Sequence, residues 1–206
     1  MIVRTLALGP AQTNCYLVGA DASCEAVVID PGWDAHVILG EARSAELTIK
    51  AILLTHGHFD HIGAVADMRD ALQAPLIAHA REIDLLNAKG GAELFGFKIR
   101  AVPPPDRLVA HGETIEIGTL KFEVRHVPGH TRGHVAFVEH EMRSAFVGDV
   151  LFAGSIGRTD LPGGDYDTLI ASIHDQLLTL PDDYKVYPGH GPPTMIDVER
   201  ETNPFL

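Results

Sequence analysis

Four residues able to hold a metal ion fall within six positions of the segment Thr55-His56-Gly57-His58-Phe59-Asp60-His61. They offer three imidazoles and one carboxylate with no thiolate, a donor set that suits zinc, iron or manganese. The segment follows the apolar run Ala51-Ile-Leu-Leu54, which reads as a buried strand. A regular strand would alternate these side chains across its two faces, but a turn at the strand end lets them converge. Burying them with no ion or partner would be costly, because desolvated polar groups must be paired.

Three later segments share this layout. Phe122–His130 is a strand ending in Pro-Gly and a histidine, Ser144–Asp149 a strand ending in an aspartate, and Lys185–His190 a strand, then Pro-Gly and a histidine. Each delivers a ligand-type residue from the carboxyl end of a strand, where α/β sheets place their ligand sites. The total is five His and two Asp. A closed structural zinc site takes four ligands. Seven suit two ions with three private ligands each and one shared carboxylate. The assignment is His56, His58 and His130 on one ion, Asp60, His61 and His190 on the other, and Asp149 between them. Each ion keeps room for water, so the expected cofactor is a catalytic pair of divalent cations, zinc first, with iron and manganese as alternatives.

The elements that must carry these residues read as alternating strands and helices. Strand-like runs are 2–8, 14–19, 26–30, 49–55, 75–78, 114–117, 120–127, 135–140, 144–148 and 185–187. Helical patterns cover 33–45, with Asp34 as the cap, 61–73, with Ile62, Val65, Met68 and Leu72 on one face, and 165–180, stopped by Pro181. A shorter helix is expected over 81–88. The pattern predicts an α/β sandwich of packed sheets covered by helices, in one domain over 1–206. The irregular stretch 89–107, with Gly90-Gly91, Phe95 and Phe97, reads as either a surface connection with Phe95 and Phe97 tucked into the core or a lid or substrate wall.

Composition narrows the partners. With 16 Lys+Arg against 28 Asp+Glu the net charge is −12, which argues against a nucleic-acid surface. No apolar run approaches the ~20 residues of a membrane helix, and the start lacks the pattern of a signal peptide. Cys15 and Cys24 read as reduced residues in the packing, and the cytoplasm is the default location.

With these motifs in place, the chain resembles the metallo-β-lactamase superfamily. The likeness rests on the His-x-His-x-Asp-His cluster, the downstream His, Asp and His, and Thr13–Leu17, Ile29–Gly32, Pro128–His134, Gly148–Phe152, Gly157–Asp160 and Asn203–Leu206. Within that superfamily it is most similar to compact glyoxalase II-like (hydroxyacylglutathione hydrolase-like) enzymes. The resemblance implies an αββα sandwich of two mixed sheets flanked by helices, with the seven ligands assigned above. It also implies hydrolysis of a small-molecule thioester by a metal-activated water, with Asp60 orienting that water and taking its proton. True β-lactamases of the family tend to change ligands of the second ion, and here Asp60 and His61 are both present. Full-length glyoxalase II enzymes add a helical C-terminal domain for glutathione, whereas this sequence runs only 16 residues past His190. Arg158 is then the best remaining anion anchor for substrate. Asp30, Thr131 and His134 are the candidates to support the ligand histidines. The rival readings are a mononuclear-iron persulfide dioxygenase using His56, His130 and Asp149, suggested by Gly157–Asp160, a metal-binding module without turnover, and a nuclease.

Overall fold

The computed structural model describes residues 2–20 and 23–206. In chain order the elements are β1 (Ile2–Leu8), β2 (Thr13–Gly19), β3 (Glu25–Ile29), α1 (Ala35–Ser44), β4 (Thr48–Leu53), α2 (Phe59–Ile62), α3 (Val65–Leu72), β5 (Leu76–His79), α4 (Ile83–Asn87), β6 (Arg107–Val109), β7 (Thr114–Ile117), β8 (Leu120–His126), β9 (Val135–Glu139), β10 (Ser144–Gly148), β11 (Leu151–Phe152), β12 (Ser155–Ile156), α5 (Tyr166–Ser172), β13 (Lys185–Pro188), β14 (Thr194–Met195) and α6 (Ile196–Thr202).

Two mixed sheets of six strands form the centre, ordered β1-β2-β3-β4-β5-β6 and β14-β13-β10-β9-β8-β7, with β11 and β12 as a separate hairpin. Strands β3 to β6 run parallel, as do β10 and β13, while the other neighbours are antiparallel. The period of two explains why the central strands carry apolar residues on both faces. In β2, Tyr16 and Val18 enter the core between the sheets, while Cys15 and Leu17 face the helices. Around β4, Ala51 and Leu53 point inward and Ile52 and Leu54 outward. Phe122, Val124, Phe137 and Phe146 close the inner core from the second sheet. Ile38 of α1 and Val65 and Met68 of α3 cover the first sheet, and Leu169 of α5 and Ile196 of α6 cover the second. A strand buried on both faces reads as a continuous apolar run, and the outcome is the expected αββα sandwich.

Several boundaries differ from the sequence reading. The helix expected over 61–73 is broken in two, because the Ala64 amide donates to Pro31 O (3.0 Å) and a Cβ on Gly63 would lie 2.3 Å from Gly32 O. Asp34 sits at the start of α1 in the left-handed region (φ 52), and its side chain caps nothing. The helix over 165–180 ends earlier as a regular helix. Asp165 Oδ1 accepts the Thr168 amide (2.8 Å), and beyond Ser172 a wide turn forms in which the Leu178 amide reaches back to Ile173 O (2.8 Å). In the 89–107 stretch, Lys89–Phe95 makes a tight turn and Arg107 begins the edge strand β6. Cys15 is buried and Cys24 exposed, both as free thiols, so only the first belongs to the packing. Among the described residues no helix is long and apolar enough to cross a membrane.

Candidate metal centre

The turns after β3, β4, β8, β10 and β13 meet at one edge of the sandwich and bring all seven ligand-type residues together. His56, His58 and His130 offer nitrogens within 4.8 Å of one another, and Asp60, His61 and His190 form a second such group. His58 Nδ1 and His130 Nε2 lie 2.9 Å apart. Asp149 stands between the groups. Its Oδ1 is 3.4 Å from His61 Nε2, and its Oδ2 is 3.7 Å from His130 Nε2 and 3.5 Å from His190 Nε2. Asp60 Oδ2 is 3.2 Å from His190 Nε2 and 3.7 Å from His61 Nε2.

The donors fit divalent cations on their own evidence. Among the described residues, His56 Nε2, His61 Nε2 and Asp149 Oδ1 are buried side-chain atoms with no hydrogen-bond partner. Leaving such an atom unpaired costs about 1–3 kcal/mol, a cost that ligation removes. Burial pushes the His56 and His130 rings below the usual range and His58 to about 3, so these histidines are neutral donors. At the other group burial is outweighed by charge. Asp149 and Asp60 raise His61 well above its ordinary value and His190 to about 9. The same histidines hold Asp60 down at about 2 and Asp149 well below the carboxylate range, despite burial. The carboxylates are therefore ionised, and a cation would take the place of the protons on His61 and His190.

The surrounding contacts separate the expected supporting residues. Asp30 Oδ2 lies 2.9 Å from His61 Nδ1, and the Asp30 carboxylate also accepts the Thr55 amide (2.8 Å) and Thr55 Oγ1 (2.6 Å). Asp30 also groups geometrically with His56 and His61, but these three contacts already occupy its oxygens. His134 stacks on His56 at 4.6 Å, and its Nε2 accepts the Asp149 amide at 3.1 Å, so it places the shared carboxylate through its backbone. Thr131 does not meet a ligand ring. Its Oγ1 donates to Glu82 Oε1 (2.7 Å). Arg158 lines the cleft, but its guanidinium grips Asp160 through two 2.7 Å bonds, and it is the Arg158 carbonyl that meets a ligand, His130 Nδ1, at 2.7 Å.

The sequence reading missed Glu82. This buried carboxylate accepts the Gly57 amide on Oε2 and the Gly133 amide and Thr131 hydroxyl on Oε1, each at 2.7 Å. It thus ties the turn that carries His56 and His58 to the turn that carries His130 and His134. Burial raises its pKa, against the three donors that lower it. Thr13 belongs to the Thr13–Leu17 motif. Its Oγ1 donates to Asp60 Oδ2 (3.0 Å), while Asn14 Nδ2 and Tyr16 OH hold the Pro188 carbonyl at 3.0 and 2.5 Å and so fix the His190 turn.

Comparison with known proteins agrees with this geometry. The family described as the metallo-beta-lactamase superfamily matches residues 8–190. The chain is 40% identical to "Hydroxyacylglutathione hydrolase GloC" of Haemophilus influenzae over 100% of this chain and 98% of that one. Among solved structures it is similar to "BLEG-1 B3 metallo-beta-lactamase" (45% identity, TM-score 0.95, covering 100% and 99% of the two chains). It is likewise similar to "TTHA1623 in a di-iron-bound form" (43%, TM-score 0.91, 99% and 100%) and to "ETHE1 from Myxococcus xanthus" (32%, TM-score 0.82, 99% and 84%). A matched region spanning nearly the whole sandwich, and the metal-ligand edge that it encloses, place the chain in the metallo-β-lactamase superfamily.

Proposed function

We propose that the protein is a dinuclear metallohydrolase of small-molecule thioesters. The observation that carries this is the pair of three-donor groups separated by Asp149, each containing a buried nitrogen with no other partner. In this reading His56, His58 and His130 would hold one divalent ion and Asp60, His61 and His190 the other, with Asp149, which stands between the two groups, available to both. Similarity to a hydroxyacylglutathione hydrolase over the full chain supports the thioester class. The di-iron relative supports two ions and leaves zinc and iron as the leading choices.

The ions, when bound, supply Lewis acidity and a water acidic enough to act near neutral pH. The chain supplies the rest. His56, His58 and His130, kept neutral by burial, present lone pairs. Asp60 is ionised at neutral pH, is fixed by Thr13, and is the group that orients the attacking water and takes its proton. Asp30 sets the tilt of His61, and the Arg158 carbonyl sets that of His130. The water oxygen bonds to the carbonyl carbon and the C–S bond breaks, so that RCO–SR′ + H2O gives RCOO− + R′SH + H+.

A second reading places a single iron on His56, His130 and Asp149 for dioxygen chemistry, and the ETHE1 likeness supports it. Metal analysis together with assays on lactoylglutathione, other thioesters, a β-lactam and a persulfide under oxygen monitoring decides among them. Two ions per chain with thioester turnover is the expected result. One iron with persulfide-dependent oxygen uptake, or turnover of the lactam alone, would overturn the proposal.

A further inference from the structure

The cleft that opens onto Asp60, Asp149 and His190 has a volume of about 460 Å3, and its walls are mostly apolar. Beyond the ligand residues it is lined by Ala11, Phe59, Phe95, Phe152, Ile156 and Leu161, together with Ser155 and Arg158. Phe59 and Phe95 stack at 5.1 Å, and Phe97 stacks on Phe59 at 5.2 Å with Trp33 set edge-on to it at 5.7 Å. Phe152 comes from the β11–β12 hairpin and lies edge-on to His190 at 6.2 Å. Apolar walls therefore come from two elements far apart in sequence.

This wall is registered to the ligands. Gly90 adopts φ +61, and a Cβ there would lie 2.2 Å from Phe59 N, 2.5 Å from Gly57 O and 2.6 Å from the His58 carbonyl carbon. The 89–95 turn is thus seated directly on the His56–His58 segment, and Phe95 is carried against Phe59, the residue after His58. Among the described residues, Arg158 is the one Lys or Arg on the lining, and its charge is already matched by Asp160. No second Lys or Arg among the described residues lines the cleft away from the ligand edge to compensate the desolvation of an anionic substrate tail, whereas apolar area leaving water for this cleft is favourable.

We infer that the cleft selects an apolar group, aromatic or alkyl, attached to the carbonyl that is hydrolysed, so the preferred substrates are apolar acyl thioesters. The inference rests on the proposed hydrolase reading for its reaction and on the Phe59–Phe95–Phe152 wall for its selectivity. The reaction balances as written above, with R the apolar group.

The test compares phenylacetyl, octanoyl, acetyl and lactoyl thioesters of one small thiol, N-acetylcysteamine, on the metal-loaded protein. A companion set keeps the acetyl group and places the benzyl group on the thiol. The expected result is a kcat/KM for the apolar acyl groups at least about tenfold above acetyl and lactoyl, since one extra methylene in an apolar pocket already gives about 10–200-fold. Phe95→Ala and, independently, Phe152→Ala each lower that ratio, while the exposed Val198→Ala on α6 leaves it unchanged. Equal rates across the acyl series, a lactoyl preference, or selectivity that follows the thiol would overturn the inference while the hydrolase reading stands. If no thioester is turned over, that reading fails, and binding decides the inference alone. Uncharged phenylacetamide, but not acetamide, should then shift the amide resonances of Phe59, Phe95, Phe152 and Ile156, and the absence of such shifts overturns it.

Discussion

Asp149 is the residue on which both donor groups converge. Replacing Asp149 with Ala removes the carboxylate between them, and the expected outcome is retention of at most one of the two proposed ions per chain, read by metal quantification, with the proposed thioesterase activity reduced at least about a thousandfold. A variant that keeps two ions would refute the shared role. Glu82 acts at the same scale but by a different route. In Glu82→Gln the side chain keeps one acceptor and turns an amide donor toward a backbone N–H or the Thr131 hydroxyl. The expected cost is about 2–4 kcal/mol in urea unfolding, since hydrogen bonds to a buried charge are among the stronger ones, with weaker metal retention alongside. An unchanged midpoint would mean that Glu82 does not clamp the two turns. The ligand-type residues could be read from the sequence because His and Asp are rarely spent so closely at strand ends. Glu82 could not, because its three donors come from Gly57, Thr131 and Gly133, far away in the chain, and locally it looks like any glutamate in a helical turn.

At the scale of elements, the strands were legible and the interruptions were not. The runs 2–8, 114–117 and 144–148 coincide with β1, β7 and β10, because sandwich strands buried on one or both faces carry a strong apolar signal. β6, β11, β12 and β14 span two or three residues each and are too short to show a period. The break between α2 and α3 is a tertiary event. The side-chain period continues through it, with Ile62, Val65 and Met68 all buried, but the close approach of Gly32 to Gly63 redirects the backbone. The closing helix α6 carried no expectation, yet Glu199 on it accepts the Gly154 amide (2.9 Å), and Asn203 just beyond donates to Ser155 O (3.1 Å). These contacts hold the hairpin that supplies Phe152 and Ile156 to the cleft, which gives the Asn203–Leu206 motif a physical role.

At the scale of the whole molecule, the proposed ions join turns from both sheets, so their removal acts on global stability. Chelation is expected to lower the melting temperature by about 5–15 °C, given the linkage of folding to tight binding and the usual slope for a chain of this size. Restoring metal should reverse the shift, and equal melting curves with and without chelator would contradict a stabilising role. Acid should weaken the fold at a separate place. His79 packs against His126 at 4.6 Å, and burial, His126 and Arg81 lower its pKa to about 4. The unfolded chain binds that proton near 6.5. It therefore holds more protons than the native state between about pH 4 and 6.5, and stability falls as pH drops through that window, with no further loss from this group below about 4. Because His79 is partly exposed the effect is small. Denaturant titrations of His79→Gln across the window should show a flatter slope than the parent, and parallel slopes would exclude the assignment.

The distribution of the ligands along the chain has a consequence for timing. His56 and His58 come from the turn after β4 and Asp60 and His61 from α2, beside the first sheet, while His130, Asp149 and His190 come from turns of the second. His190 is the last of the seven to be synthesised, and Asn14 and Tyr16, near the start, must already be in place to seat its turn. A nascent chain cannot complete either donor group before the two sheets have met. Completion of the proposed two-ion site is thus coupled to the meeting of the two sheets, a late step in folding.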